Sequence, residues 1–141
     1  MIGESKREID DLARGLTSHL CSSPIFFPTD LTHYDRCIKN EGIRVVVAKE
    51  RDRVIGYMAL DTEAETFVSN NKDMYNICGA FVKEQYRGQN VSEQLLEYVC
   101  QIAEQEGKNY LGVDYETLNP TALRFWRKNF SNYTYSYIRR I

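Results

Sequence analysis

The sequence predicts an α/β (α+β) fold in one domain, residues 1–141, built on a mixed sheet. Three observations lead to this prediction. A chain of 141 residues fits a single domain. Two neighbouring runs of β-branched residues have the form of a hairpin. A further strand, a long amphipathic helix and another strand follow one another over residues 74–115, and such a unit is expected to be a parallel, right-handed crossover.

The first half of the chain is predicted to contain two helices and the hairpin. Ser5 and Glu8 form a capping-box pattern, apolar residues then recur at helical spacing, and Gly42 follows the second helix. The predicted elements are a helix over residues 5–22, a helix over residues 29–40, and strands over residues 43–49 and 54–60.

The second half is predicted to alternate strands and helices after a polar loop over residues 61–73. Gly79 indicates a bulge or a close backbone approach within its strand. Gly107 ends the long helix, and Asn119 caps the next helix, with Pro120 at its first position. The predicted elements are a strand over 74–82, a helix over 91–106, a strand over 110–115, a helix over 119–129 and a strand over 133–141.

The composition excludes several classes of protein. The formal net charge of -2 gives no basic excess of the kind that nucleic-acid binding requires. No apolar run approaches the roughly 20 residues that span a bilayer. The four cysteines form no C-x-x-C pair and no histidine clusters with them, so no metal site is predicted. We therefore expect a cytoplasmic protein with free thiols.

One segment has the pattern of an anion site, the octapeptide Gln85–Ser92. It follows a strand directly and opens the long helix, whose first amides have no partner within the helix and carry the positive end of its dipole. A diphosphate binds well at such a place. Gly88 allows the backbone to approach it closely, and Lys83 and Arg87 can add charged contacts. The alternative is an ordinary strand-to-helix turn that happens to contain a glycine.

The same segment resembles the coenzyme signature of the GNAT (Gcn5-related N-acetyltransferase) superfamily, Gln/Arg-x-x-Gly-x-Gly/Ala. Gln85 and Gly88 match its first two fixed positions. Asn90 stands where Gly or Ala is expected, and Asn is the non-glycine residue that best tolerates a left-handed backbone. The segment matches neither a Walker A loop nor the dinucleotide-binding fingerprint.

A second segment resembles the GNAT pattern Asn-x-x-Ala-x-x-Phe-Tyr-x-x-x-Gly-Phe. The spacing of Asn119, Ala122 and Phe125 agrees with it. One residue is missing before Phe130, and Asn129 stands where Gly is usual. The alternative is a capped amphipathic helix whose aromatic residues only pack into the core.

The resemblance covers nearly the whole chain. It implies a mixed, mostly antiparallel sheet with a central strand–helix–strand parallel crossover and helices on both faces. It also implies acetyl-CoA as co-substrate, with no metal. The residues that the resemblance assigns to the coenzyme are Phe81, Val82, Arg87, Gly88, Gln89, Asn90, Val91, Ser92, Asn119, Ala122 and Phe125.

Two acidic residues are candidates for handling the acceptor amine. Asp114 and Glu116 follow the strand after the crossover and alternate to the same side, with Tyr115 opposite. They are expected to hold the ammonium or to deprotonate it through water; the alternative is that both are solvated loop residues. Trp126 stands where many GNAT members have a tyrosine, and an indole N–H is too weak an acid to protonate a leaving thiolate.

The resemblance implies acetyl transfer to the primary amine of a small molecule or a peptide, with neither nucleic acid nor membrane as partner. A CoA-binding sensor or interaction module without transfer activity is the second hypothesis, and a domain unrelated to CoA is the third. The usual opening strand is expected to be absent, or the chain to be part of something longer, because only Met1, Ile2 and Gly3 precede the capping box. The sheet edge left uncovered favours a homodimer.

Overall fold

The computed structural model describes residues 1–4, 9, 12, 14, 40–63, 71–115 and 119–134. The strands are β1 (Ile2–Glu4), β2 (Arg44–Glu50), β3 (Arg53–Asp61), β4 (Met74–Val82) and β5 (Tyr110–Val113). The helices are α1 (Val91–Gln105) and α2 (Pro120–Asn129), and a short 3-10 turn spans Glu84–Tyr86.

The five strands form one sheet in the order β1-β2-β3-β4-β5. The first three pairings are antiparallel and the last, between β4 and β5, is parallel. Helix α1 connects the two parallel strands, which is the crossover that the sequence predicts. The mixed, mostly antiparallel sheet of the predicted fold is confirmed.

Strand alternation divides the core into two layers. One face of the sheet packs against α1, with Met58 and Ile77 meeting Leu95 and Val99. A second buried cluster lies on the opposite face and includes Ile9, Leu12, Val45, Val47, Tyr57 and Ala59. Since Leu12 has a helical conformation and is buried there, the sheet has apolar cover on both faces.

The opening strand, which the sequence is expected to lack, is present in a short form. Ile2, Gly3 and Glu4 pair antiparallel with Ala48, Val47 and Val46 of β2. Three residues are too few to show the alternating pattern of a strand, and the pairing is made by the backbone. The sequence therefore contains no pattern from which β1 could be predicted. The homodimer, inferred from an uncovered edge, stays a prediction that light scattering can test.

The remaining boundaries differ by a few residues from those predicted. β5 ends at Val113, two residues before the predicted end. Tyr133 and Thr134, at the start of the predicted last strand, are not in a strand. Both predicted N-terminal helices, apart from Ile9, Leu12, Arg14 and Asn40, lie outside the described residues, as do residues 64–70 of the polar loop and residues 135–141. Of these four residues, Leu12 and Arg14 are helical, and Ile9 and Asn40 are not.

The bulge predicted at Gly79 is confirmed in β4. Ala59 pairs with Gly79 whereas Leu60 pairs with Ile77, so Cys78 is the extra residue. An extra residue bends its strand and increases the local twist. β4 therefore changes course halfway along its length, just where its pairing with β5 ends.

A cluster of polar side chains ties the end of α1 to three strands. The guanidinium of Arg44 on β2 forms a two-pronged contact with the Glu4 carboxylate on β1, at 2.6 and 3.3 Å. It also donates to Glu106, which accepts a second hydrogen bond from the Tyr75 hydroxyl on β4. The hydrogen bond from Tyr75 and the charge of Arg44 lower the pKa of Glu106.

The Glu106 cluster is expected to contribute less to the free energy of unfolding in acid. Because the pKa of Glu106 is lowered in the folded state, its contribution is complete above the ordinary glutamate value of about 4.3. That contribution is lost as pH falls through the folded pKa. We expect Glu106→Gln to lower the free energy of unfolding at pH 7 by up to about 1 kcal/mol, the range of exposed ion pairs, and to flatten its decline below pH 5. Urea unfolding across pH tests this; an unchanged acid limb would contradict it.

No helix of the described part of the chain has the length and apolar character that crossing a membrane requires.

Candidate active site

The turn between β4 and α1 is shaped by two left-handed residues. Gly88 has φ of +73° and Asn90 has φ of 63° and ψ of 15°. A methyl group on Gly88 would meet none of the described residues within 4 Å, so the space above this glycine is open on their side. The turn from Gly88 to Asn90, called the cradle below, therefore exposes its backbone.

The cradle leads directly into the exposed start of α1. The first helical hydrogen bond runs from the Gln94 amide to the Asn90 carbonyl, at 3.1 Å. The amides of Val91, Ser92 and Glu93 precede it and so have no partner within the helix. These amides, with the positive end of the helix dipole, suit a diphosphate.

Asn90 lies at the position where the sequence departs from the coenzyme signature, and its left-handed backbone explains why the turn survives. Its side chain makes no capping hydrogen bond, so conformation is its main contribution. We expect Asn90→Ala to lower the free energy of unfolding by about 1–2 kcal/mol, the cost of a left-handed backbone for an ordinary residue. Asn90→Gly should not, because glycine adopts this conformation freely. Urea denaturation distinguishes the pair, and equal losses would rule out backbone strain.

Two side chains fasten the turn to its surroundings. Nε of Arg87 donates to the Val82 carbonyl at 3.0 Å, and its guanidinium lies 5.5 Å from the centre of the Phe81 ring. Nε2 of Gln89 donates to the Gln85 carbonyl at 2.9 Å. Arg87 therefore holds its charge beside the cradle while bracing the end of β4.

The pairing between β4 and β5 ends before β4 does. The two strands pair only from Met74 with Tyr110 to Ile77 with Val113, whereas β4 continues to Val82. The rest of β4 therefore has no partner strand on its β5 side among the described residues. This unpaired side of β4, from Cys78 to Val82, is called the opening between β4 and β5 below.

The direction of the β4 amides follows from one hydrogen bond. The Lys83 amide donates to the Ile55 carbonyl of β3 at 2.9 Å. Because antiparallel strands alternate between hydrogen-bonded and non-hydrogen-bonded pairs, Phe81 also directs its amide to β3, while Ala80 and Val82 direct theirs into the opening. Of the two β4 residues that the resemblance assigns to the coenzyme, Val82 presents an amide to the opening and Phe81 presents its ring to Arg87. Ala80 presents an amide on the same side as Val82. The role of Ala80 follows from the strand register and not from the sequence motif.

The second motif forms a capped helix beside the opening. Oδ1 of Asn119 accepts hydrogen bonds from the amides of Thr121 and Ala122, both at 3.2 Å. Trp126 is buried between Phe125 and Phe130, whose ring centres lie 4.8 and 5.5 Å away. The packing role of these aromatic residues is therefore confirmed for Trp126, and Phe125 is half-buried beside it.

The two acidic candidates differ in what can be said of them. Asp114 is exposed and lies one residue past β5. Tyr115 packs towards Trp126, with ring centres 6.4 Å apart, so Asp114 projects to the other side, as alternation requires. Glu116 lies outside the described residues.

Two further features of the site were not predicted from the sequence. Nζ of Lys128 on α2 lies 3.4 Å from Glu93 in the first turn of α1, which joins the two helices beside the cradle. Asn76 on β4 is buried at 5% exposure. A single polar amide within the apolar run of residues 74–82 was the available signal. Among the described residues, no group of three or more His, Cys, Asp or Glu side chains is arranged to hold a metal.

The fold and the site together are those of a coenzyme-dependent transferase family. The chain matches the model of the acetyltransferase (GNAT) family over residues 12–131. It therefore belongs to the GNAT acetyltransferase family. No curated protein matches the chain in sequence.

Solved structures show the same fold at low sequence identity. A ribosomal-protein-alanine N-acetyltransferase from Brucella melitensis biovar Abortus 2308 superposes with a TM-score of 0.71 at 13% identity, covering 100% of this chain and 98% of that chain. The aminoglycoside acetyltransferase AAC(6')-Iy, in complex with a bisubstrate analog of CoA, gives 0.68 at 17%, covering 100% and 98%. An aminoglycoside acetyltransferase from an uncultured soil metagenomic sample gives 0.68 at 14%, covering 100% and 95%.

Proposed function

We propose that this protein transfers the acetyl group of acetyl-CoA to a primary amine of a small molecule or a peptide by direct attack. The observation that carries the proposal is the pair of left-handed residues, Gly88 and Asn90, which present the first amides of α1 at the end of β4. Family membership and neighbours that are named acetyltransferases support the same reaction.

The coenzyme is assigned to backbone more than to side chains. The amides at the start of α1, with Gln89, Gly88 and Arg87, hold the diphosphate. The Val82 amide binds the pantetheine arm in the opening between β4 and β5. The α2 residues proposed to border that arm are Asn119, Ala122 and Phe125. A neighbour in complex with CoA supports the coenzyme.

The acceptor amine must lose a proton before it attacks, since the pKa of an alkylammonium is about 10.4. We assign this to Asp114, directly or through water, with Glu116 as the second candidate. The neutral nitrogen then bonds to the thioester carbonyl carbon and gives up a second proton to water. The carbon–sulfur bond breaks, the amide forms, and the thiolate leaves. Trp126 is buried by its aromatic neighbours and supplies no proton, so the thiolate departs without an acid from this position.

Asp114→Asn tests the assignment of the base. Removing a general base typically lowers the rate by about 10²–10⁴-fold, so we expect kcat/KM for the amine to fall by about 100-fold while KM for acetyl-CoA is unchanged. Release of free thiol from acetyl-CoA measures both. Asp52→Asn, an exposed acid in the β2–β3 turn, is the matched control. An Asp114→Asn enzyme as active as the Asp52→Asn enzyme would remove Asp114 from the mechanism.

The acceptor is tested with a panel of amines. The neighbours are named for ribosomal-protein alanine and for aminoglycosides, so amino sugars and short peptides with free amino termini are the first choices. Thiol release with any of them supports transfer. A rise in melting temperature with CoA, without turnover on any amine, would favour the second candidate, a CoA-binding module without transfer activity. The observation that favours this candidate is Trp126, which stands where many GNAT members have a tyrosine that can donate a proton. The free thiols of Cys78 and Cys100 fit the cytoplasm, the compartment that we propose.

A further inference from the structure

A buried amide with no partner lies beside the opening between β4 and β5. Asn76 is 5% exposed, and its Nδ2 makes no hydrogen bond to any residue that the structure describes. Buried amides without a partner are rare in folded proteins, because the lost hydration is not replaced. Asn76 pairs with Gly112 one step before the pairing of the two strands ends.

Asn76 lies on the sheet face opposite to α1. Its neighbour Ile77 belongs to the buried cluster between the sheet and α1, and Val113 and Tyr115 pack against that cluster. By alternation, Asn76, Gly112 and Asp114 therefore share the other face. The amide that lacks a partner and the proposed base thus lie on one side of the sheet, at the entrance to the opening.

The neighbourhood of Asn76 is built to accommodate its side chain. A methyl group on Gly112 would lie 2.7 Å from Oδ1 of Asn76, so the side chain extends over β5 into space that only glycine leaves. Asp61 pairs with Asn76 from the β3 side, but its Oδ1 accepts from the Glu63 amide at 3.1 Å. Nδ2 of Asn76 has no hydrogen-bond partner among the described residues.

The separation of Asn76 and Asp114 suits a small bifunctional group. Neighbouring strands lie about 4.8 Å apart and two residues span about 6.7 Å, which places the two α-carbons about 8 Å apart. Two hydrogen bonds of about 2.9 Å leave room between them for one nitrogen and one oxygen on adjacent carbons.

We propose that Asn76 selects acceptors that carry a hydroxyl or carbonyl oxygen on the carbon next to the one bearing the amine. The Asn76 amide donates to that oxygen, and Asp114 receives the ammonium. The inference rests on the proposed acetyl transfer and names its acceptor class. A site that hydrogen-bonds a substrate oxygen discriminates strongly against the analogue without it, because the buried donor is then left unpaired.

The test compares three amines on three proteins. 2-Aminoethanol carries the hydroxyl of amino sugars, glycinamide carries the carbonyl of peptide amino termini, and propylamine has the size of 2-aminoethanol without the oxygen. Asn76→Leu keeps the shape and removes the donor, an exchange that should leave the fold stable. Met74→Leu, a volume-conserving change at a buried position on the same face, is the matched control.

We expect the wild-type protein and Met74→Leu to prefer one or both oxygen-bearing amines over propylamine by at least about tenfold in kcat/KM. Asn76→Leu should abolish this preference through KM for the amine, with KM for acetyl-CoA unchanged. Which of the two oxygen-bearing amines is preferred distinguishes the amino-sugar source from the peptide source. A wild-type protein without preference, or an Asn76→Leu protein equally impaired with all three amines, would overturn the proposal.

Failure of the proposed transfer can be told apart from failure of this inference. If the wild-type protein acetylates none of the amines, the role of Asn76 is tested by the melting temperature of each protein in the presence of CoA and each amine. A ligand that binds only the folded protein raises it. A rise with the oxygen-bearing amines in the wild type and Met74→Leu, but not in Asn76→Leu, supports the role of Asn76. Equal shifts in all three proteins overturn it.

Discussion

Gly88→Glu is expected to reduce the affinity for CoA by at least about 100-fold, which corresponds to about 2.7 kcal/mol. The new carboxylate would project into the open space above the turn, where none of the described residues lies within 4 Å of the added carbon. Two like charges about 4 Å apart near a protein surface repel by roughly 4 kcal/mol, and the proposed site places the coenzyme diphosphate there. Calorimetric titration with CoA measures the loss.

The chain offers a matched control for this substitution. Gly107, at the other end of α1, has φ of +71° and equally open space, so Gly107→Glu imposes the same backbone strain far from the cradle. Its affinity for CoA should equal that of the wild-type protein. Gly88→Ala adds the strain without the charge and should lose only a small part of the affinity. If Gly88→Glu and Gly107→Glu bind CoA equally, the cradle is not the coenzyme site.

Trp126→Ala is expected to cause the largest loss of stability, about 3–5 kcal/mol. Trp126 is 6% exposed and belongs to the buried cluster that joins α2 to the sheet and α1, which includes Ile77, Val82 and Leu95. Removing the indole leaves a cavity that the rigid neighbours can fill only in part. Urea unfolding followed by circular dichroism gives the free energy of unfolding.

Trp126→Phe is the control for that prediction, since it keeps an aromatic ring within this cluster and should lose clearly less. A loss below about 1 kcal/mol for Trp126→Ala would mean that α2 is held by other contacts. Because α2 is proposed to border the coenzyme arm, the alanine variant should also bind CoA more weakly at temperatures where it remains folded.

Sequence reasoning succeeded where a residue type has one dominant physical use. Gly107 ended α1 in a left-handed conformation, Asn119 capped α2 with its side chain, and Gly79 marked the bulge. Asn90 was predicted to tolerate a backbone that few other residues accept, and it has that backbone. In each case the local conformation is decided within a few residues of chain.

It failed where the information lies between distant segments. β1 is created by pairing with β2 more than forty residues away, and the interaction of Lys128 with Glu93 depends on how two helices are placed. The choice of Val82 and Ala80 over Phe81 as amide donors depends on register, which a one-residue shift would invert. The proposed coenzyme site can therefore be assigned from the sequence to a turn, but not to individual amides.

Because its pairing with β5 ends at Ile77, the second half of β4 is in effect an edge strand on that side within the described sheet. Ala80 and Val82 offer an amide ladder there, and the coenzyme arm, which contains two peptide-like amide groups, can pair with it as an added strand would. Substrate binding then resembles β-augmentation, with main-chain hydrogen bonds supplying affinity. A short thioester without those amides, such as S-acetylthiophenol, would leave the ladder unfilled and should be a poor donor however reactive its acetyl group is.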